Sequence, residues 1–213
     1  MKEQVLDSPF CKKEFLELVD IVSEVKTTKL TNYAISGSSI VNIGDRDFVD
    51  YRPDIYIDPQ VLKDNNISSI SFDSLHFFQV QNLVEEIDTK SVKIKKSDIA
   101  VNLILPKTYE EYLESLTKKN RHELRRKKRK FDNETTSYEL GESKEQDIFD
   151  IFISQHRESK GEKGEFMTEV VETYFRNLLN LQGWKIYYTN TDKGVLSTCL
   201  LYTSPSPRDT NPS

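Results

Sequence analysis

Two hydrophobic periods alternate along this chain, and the changes between them mark out its elements. Phe15, Leu18, Val19 and Val22 recur on one helical face and predict an amphipathic helix over residues 11–25. Residues 30–36 and 40–43 read as short strands around Gly37-Ser38, a hairpin turn. Residues 54–58 (Asp-Ile-Tyr-Ile-Asp) and 67–72 (Ile-Ser-Ser-Ile-Ser-Phe) alternate as strands. A helix over residues 76–87 turns Val80, Leu83, Val84 and Ile87 inward. Strands over 91–95 and 99–105 follow. The second is almost wholly apolar, the pattern of a central strand buried on both faces.

Pro106 ends that strand. Thr108, with Glu111 three residues on, forms a capping box for a short helix, and Thr117 caps a longer one. After Thr117 the run KKNRHELRRKKRKF holds no Gly, Pro or β-branched residue, and Leu116, Leu124 and Phe131 make one narrow apolar stripe. Residues 132–136 are a polar linker, 137–140 a strand, and 145–159 a helix with Ile148, Phe149, Phe152 and His156 in register. The loop KGEKGE breaks it at 160–165. A helix over 166–182 shows the clearest 3.6-residue stripe in the chain: Met167, Val170, Val171, Tyr174, Phe175, Leu178 and Leu179. Gly183 stops it. Residues 184–189 (WKIYYT) then pair across Asp192-Lys193-Gly194 with Val195 onward. After the linker the order is strand, helix, helix, strand, strand.

Charge changes the picture at one place. Between Lys118 and Lys130 nine Lys/Arg face a single Glu123, while the whole chain carries −5, so the remainder sums to about −13. Such segregation is explained by a solvated face, by phosphate contacts to nucleic acid, or by a site for an anionic small molecule or cell-wall precursor. Elsewhere the composition is plain. At 213 residues, 36% hydrophobic and 31% charged, the chain has material for one large or two small domains. Two cysteines and three scattered histidines give no disulfide framework and no metal-ligand spacing. Asp45, Asp47, Asp50 and Asp54 cluster without the spacing of a calcium loop, and Asp side chains that bond their own backbone in a turn explain them. No signal peptide and no membrane-spanning run is evident, so the expected setting is cytoplasmic and metal-free.

From Cys199 the chain reads CLLYTSPSPRDTNPS. Its apolar start would pass for the end of a strand, but Pro205, Pro207 and Pro212 forbid a continuing ladder. The run resembles the conceptual translation of a sequencing-library adapter. Residues 199–213 are therefore expected to be a non-native tail, with the natural gene running on past Thr198.

Three segments carry a resemblance to a family. YEEYLESLTKKNRHELRRKKRKFD, Tyr109 to Asp132, resembles a linker segment of FemAB-like acyltransferases of the GNAT superfamily, with a BioF-type GNAT-like acetyltransferase domain. GDRDFVDYRPDIYIDP resembles that family's N-lobe segment, and the run from His156 to Phe166 resembles its first helix-to-helix loop. The resemblance implies an α/β (α+β) fold of two GNAT-like lobes joined by a basic helix, the second lobe incomplete. Residues 1–107 would be a degenerate N-terminal lobe, 108–131 the linker helices, and 132–198 the opening half of the C-terminal lobe.

The implied activity is acyl-CoA-dependent transfer to an amine or hydroxyl of a cell-envelope or sugar-type acceptor. The donor would be acetyl-CoA or another acyl-CoA, or in one branch a charged tRNA. The family's Gly-rich donor turn, R/Q-x-x-G-x-G/A after the fourth strand, does not occur here, so this fragment is expected to bind no cofactor and to be inactive. On the acceptor side the resemblance suggests Arg121 and, one turn on, Arg125, with Asp50 and Tyr51 in the inter-lobe cleft. It names no catalytic residue. His156 has the chemistry of a general base, but its apolar helical face favours packing. Two alternatives stand beside this reading: a nucleic-acid-binding module using the basic helix at 117–131, and a catalytically dead interaction protein.

Overall fold

The computed structural model describes residues 8–22, 28–30, 32–87, 92–96 and 104–203. Helix α1 (Lys13–Val19) tightens into a 3-10 turn, Asp20–Val22, so the amphipathic helix is shorter than its apolar pattern. The predicted strand over 30–36 is divided in two: β1 (Thr28–Leu30) turns back onto β2 (Tyr33–Ser36), pairing Leu30 with Tyr33. β2 then turns through Gly37-Ser38 onto β3 (Ser39–Val41). A crossover carrying helix α2 (Pro59–Asp64) brings β4 (Ser69–Ser71) parallel to β3. The first sheet is thus four-stranded and mixed, in the order β1-β2-β3-β4. Helix α3 (Phe77–Glu86) follows where the periodicity placed it.

Three expected strands do not form where the chain is described. Residues 51–58 carry no regular structure although their alternation survives in burial, with Ile57 buried and Tyr56 67% exposed. Their backbone is satisfied by side chains instead of a ladder: Asn32 Nδ2 donates to the Asp54 carbonyl (2.9 Å), and Gln79 Nε2 to that of Arg52 (2.9 Å). Asp58 and Pro59 already belong to the start of α2, where the Asp58 carboxylate accepts from the Gln60 N–H (2.8 Å). The supposed central strand also fails where it is visible. Ile104 and Leu105 are 94% and 76% exposed, while residues 97–103 lie outside the described residues. The separate strand expected over 91–95 is irregular where it is described, from residue 92. β4 pairs with β3 alone and keeps its outer edge free among the described residues, yet Ile104 and Leu105 do not join it.

The chain then forms two helices, α4 (Tyr109–Ser115) and α5 (Lys118–Glu134), the second running past Phe131 so that the linker shrinks to residues 135–137. A second sheet begins at β5 (Tyr138–Ser143) and continues, after α6 (Gln146–Arg157), the one-turn helix α7 (Glu162–Glu165) and α8 (Glu169–Leu178), with β6 (Trp184–Thr191) and β7 (Gly194–Tyr202). It is antiparallel throughout, in the order β5-β6-β7. The loop predicted at 160–165 therefore holds a helical turn. Thr168 caps α8 later than the pattern suggested, its hydroxyl accepting from the Val171 N–H (3.3 Å). Residues 199–202, expected to stand outside the fold, complete β7: Leu200 lies opposite Ile186 and Tyr202 opposite Trp184. Apolar alternation carries the ladder to Tyr202, and it ends before the first proline of the tail; residues 204–213 lie outside the described residues.

One core joins the two ends of the chain. Phe15, Leu16 and Val19 of α1, with Ala34, Ile43 and Val49, bury against Tyr174 and Leu178 of α8 and Trp184 of β6. Phe15 stacks on Trp184 at 6.1 Å and meets Phe10 edge-on at 5.1 Å, while Tyr202 closes on the indole at 5.5 Å. Gly44 makes the approach of α1 possible. Its φ is +75°, and a Cβ there would stand 2.4 Å from Val19 Cγ1. Beside it Arg52, 2% exposed, donates to the carbonyls of Ile43 and Gly44 and to Asp73 (2.8 Å), pinning the same loop. A neighbouring cluster packs Phe149, Phe152 and Ile153 of α6 on Met167, Val171, Leu179 and Ile186.

Trp184 is the sole tryptophan and sits in the joint core, so its fluorescence reports on both ends of the chain at once. Urea unfolding followed by that fluorescence and by far-ultraviolet circular dichroism is expected to give one coincident transition. Phe15→Ala should shift both midpoints together, lowering stability by about 3–5 kcal/mol; two separated transitions would show that the halves hold themselves together independently.

Candidate binding cleft on the basic helix

The α4–α5 hairpin is set by its caps. Thr108 Oγ1 accepts from the Glu111 N–H (3.2 Å), while the Glu111 carboxylate reaches past the cap to the N–H of Lys107 (3.0 Å). The predicted capping box is therefore displaced by one residue. Thr117 Oγ1 accepts from the Asn120 N–H (3.3 Å) and starts α5 after only one intervening residue, Leu116. With Leu113 buried beneath them, the two helices enclose an open cleft of about 550 Å³.

Ion pairs divide α5 lengthwise. Glu123 takes Arg126 through two hydrogen bonds (2.9 and 2.8 Å) and Lys127 more loosely (3.9 Å). The Arg126 guanidinium holds the Glu123 carboxyl below the usual carboxylate range. Lys128 Nζ donates to both oxygens of Asp132 (2.9 and 2.8 Å), and Lys130 lies 3.8 Å from Glu134. These exposed pairs add little stability. Their consequence is positional: those of Glu123 and Glu134 neutralise the side of α5 away from the cleft, while Lys128 and Asp132 pair within its lining.

The four residues suggested by sequence do not converge. Arg121 turns back along the hairpin, donating to the carbonyls of Leu116 (3.1 Å) and Glu114 (3.4 Å), so it ties the end of α4 to α5 and does not face a ligand. Arg125 does line the cleft, together with Tyr109, His122, Lys128, Arg129 and Asp132. Asp50 is exposed on a bend. Tyr51 stacks on His76 (5.5 Å) and leans on Phe10 (6.0 Å), and neither lines the cleft. Sequence reasoning missed Tyr109, His122 and Arg129. Their signal was present: His122, Arg125 and Arg129 follow Lys118 at i+4, i+7 and i+11, and Tyr109 heads the helix before.

The acidic segment behaves as a turn. The Asp45 carboxylate accepts from the Asp47 N–H (3.0 Å) and caps a 3-10 turn, while that of Asp54 accepts from Gln79 Nε2 (3.1 Å). Among the described residues no three His, Cys, Asp or Glu side chains come together as a metal site, and no helix is long and apolar enough to cross a membrane.

His156 is packed, as its apolar face suggested. Its ring meets Phe152 edge-on at 4.7 Å, and Nδ1 is buried without a hydrogen-bond partner. Burial, with Lys163 nearby, lowers its pKa from the ordinary 6.5. Above that value the residue is neutral folded and unfolded alike. As pH falls below it the unfolded chain takes up a proton that the folded chain resists, so stability is lost until the folded pKa is passed. Urea midpoints measured between pH 7.5 and 5 should fall less steeply for His156→Phe than for the parent chain. Equal slopes would mean that His156 contributes nothing to the pH dependence.

No family model matches the chain, and no curated protein or solved structure matches it.

Proposed function

We propose that this chain is part of a FemAB-like, GNAT-type acyltransferase, two GNAT-like lobes joined by α5 with the second incomplete. It would transfer an acyl group to an amine or hydroxyl of a cell-envelope or sugar-type acceptor. The observation that carries the reading is the unit from β5 to β7. Strand, helices, strand and strand follow one another in the order in which a GNAT lobe opens, as an antiparallel sheet with α6 against β6 and β7. On the face turned away from Ile186 that sheet presents Tyr138, Leu201 and Leu140, the last 78% exposed. The outer edge of β7 has no strand beside it among the described residues. Further chain in a complete lobe would cover these exposed apolar side chains and the open edge.

The donor is a separate matter. A coenzyme A pyrophosphate needs backbone N–H groups at a Gly-rich turn leading from a strand into a helix. The residues present do not fit it: Gly161 and Gly164 lie in and before α7, between two helices. No catalytic step is therefore assigned to this chain. Its part is on the acceptor side, where Arg125 and Arg129 in the cleft would take an anionic group, Arg being suited to bidentate phosphate contact.

Sequencing the source gene past codon 198 tests the reading. A frame that continues through a further strand into R/Q-x-x-G-x-G/A is expected, and the chain so extended should bind coenzyme A in a calorimetric titration where the 213-residue chain does not. An immediate natural stop codon would overturn it.

A further inference from the structure

We infer that the cleft between α4 and α5 binds single-stranded nucleic acid, its phosphates held by Arg125, Arg129 and Lys118 and a base laid against Tyr109. This goes beyond the acyltransferase reading and does not rest on it. Of the nine cations between Lys118 and Lys130, five are already engaged. Arg126 and Lys127 pair with Glu123, Lys128 with Asp132 and Lys130 with Glu134, while Arg121 is bound to backbone carbonyls. Lys118, Lys119, Arg125 and Arg129 have no partner among the described residues. Three of these four fall on one face of α5 with His122, at i, i+4, i+7 and i+11. The fourth, Lys119, stands on the neutralised side.

The unpaired cations thus form a row. At about 1.5 Å per residue, Arg125 and Arg129 lie roughly 6 Å apart along the axis and Lys118 about 10 Å before them. Such spacing suits successive phosphates of an extended strand. Lys118 stands beyond the cleft, over an adjoining hollow that it shares with His122. The opposite wall holds Tyr109, 45% exposed, an aromatic platform of the kind on which unpaired bases stack.

Local acids do not cancel this row. Asp132, the one carboxylate in the cleft lining, is held through both oxygens by Lys128. Glu110, Glu111 and Glu114 fall off the Tyr109–Leu113 face of α4, and Glu111 is bonded to the Lys107 N–H. Acids farther off than a screening length of about 8 Å at physiological salt are largely screened from the row. A single strand is favoured over a duplex because the row faces α4. Only a slim strand with bases free to turn outward reaches both Arg125 and Tyr109.

Fluorescence anisotropy tests this with the 213-residue chain, a labelled oligothymidylate, and a duplex of equal length, each titrated at several salt concentrations. Arg125→Ala/Arg129→Ala should weaken single-strand binding at least about ten-fold and flatten the log–log salt slope by about 1.4, near 0.7 per phosphate contact. Tyr109→Leu should weaken binding by about ten-fold through lost stacking. Arg126→Ala, on the neutralised side, should change it less than about two-fold. Circular dichroism confirms that each variant is folded, and alanine is a good helix former at exposed positions. Four results would each overturn the proposal: no binding, tighter binding of the duplex, an indifferent Tyr109, or equal losses from Arg126→Ala and the double variant. None of them bears on the gene's continuation past codon 198.

Discussion

Phe15 lying flat against Trp184 is the contact on which the rest of the structure depends. These two rings come from opposite ends of the sequence, and each buries on the order of 150–250 Å². The second sheet has a buried cluster of its own around Phe149, Phe152 and Ile186, but the first is thin. The first sheet's own cluster holds only Tyr33, Ile40 and Ile57 fully buried, and its strands β1, β3 and β4 are three residues each. By seating α1 against α8 the chain turns two thin layers into one core. Gly44 and Arg52 serve the same end. One removes the atom that would hold Val19 away, and the other threads a guanidinium through the loop that Val19 presses upon.

A stiff joint core explains why the basic hairpin can project as it does. No residue of α5 is buried, and Phe131 against Tyr138 (5.1 Å) is its aromatic attachment to the second sheet. A helix so exposed draws its stability from its own caps and charge pairs, each a small contribution. Their distribution decides what the helix offers to a ligand. Carboxylates at 123, 132 and 134 silence the cations beside them, and an unpaired row is left facing Tyr109 across the cleft. The acyltransferase reading and the nucleic-acid inference both draw on this asymmetry, the first through Arg125 as an acceptor contact and the second through the whole row.

What could be read from the sequence was whatever local chemistry determines. Thr108 and Thr117 punctuate the helices because caps act within one turn, whereas α8 ends at Leu178, five residues before the Gly183 stop expected from sequence. The stripe on α8, the hairpin turn at Gly37-Ser38 and the second sheet beginning at Tyr138 follow from period alone. The cationic run reads as a helix, and its start after the Thr117 cap is where the sequence put it. Where the reading failed, a partner distant in sequence was needed. Residues 54–58 alternate like a strand but find side chains of Asn32 and Gln79 where a neighbouring strand would be. Ile104 and Leu105 are apolar enough for a central strand but pair with neither sheet and stand exposed.

The same division holds at the candidate site. Sequence determined that Arg121 and Arg125 share a helical face, since i and i+4 lie one turn apart. Only the tertiary structure decided that Arg121 is consumed by the carbonyls of Leu116 and Glu114 while Arg125 is left open. The resemblance suggested Asp50 and Tyr51 for an inter-lobe cleft, and it took the tertiary structure to show Tyr51 packed on His76 and Phe10. Helix periods and caps are properties of a few consecutive residues and are therefore written in the chain. Strand partners, the fate of a guanidinium and the joining of Phe15 to Trp184 depend on which surfaces meet, and that is settled only when the whole core closes.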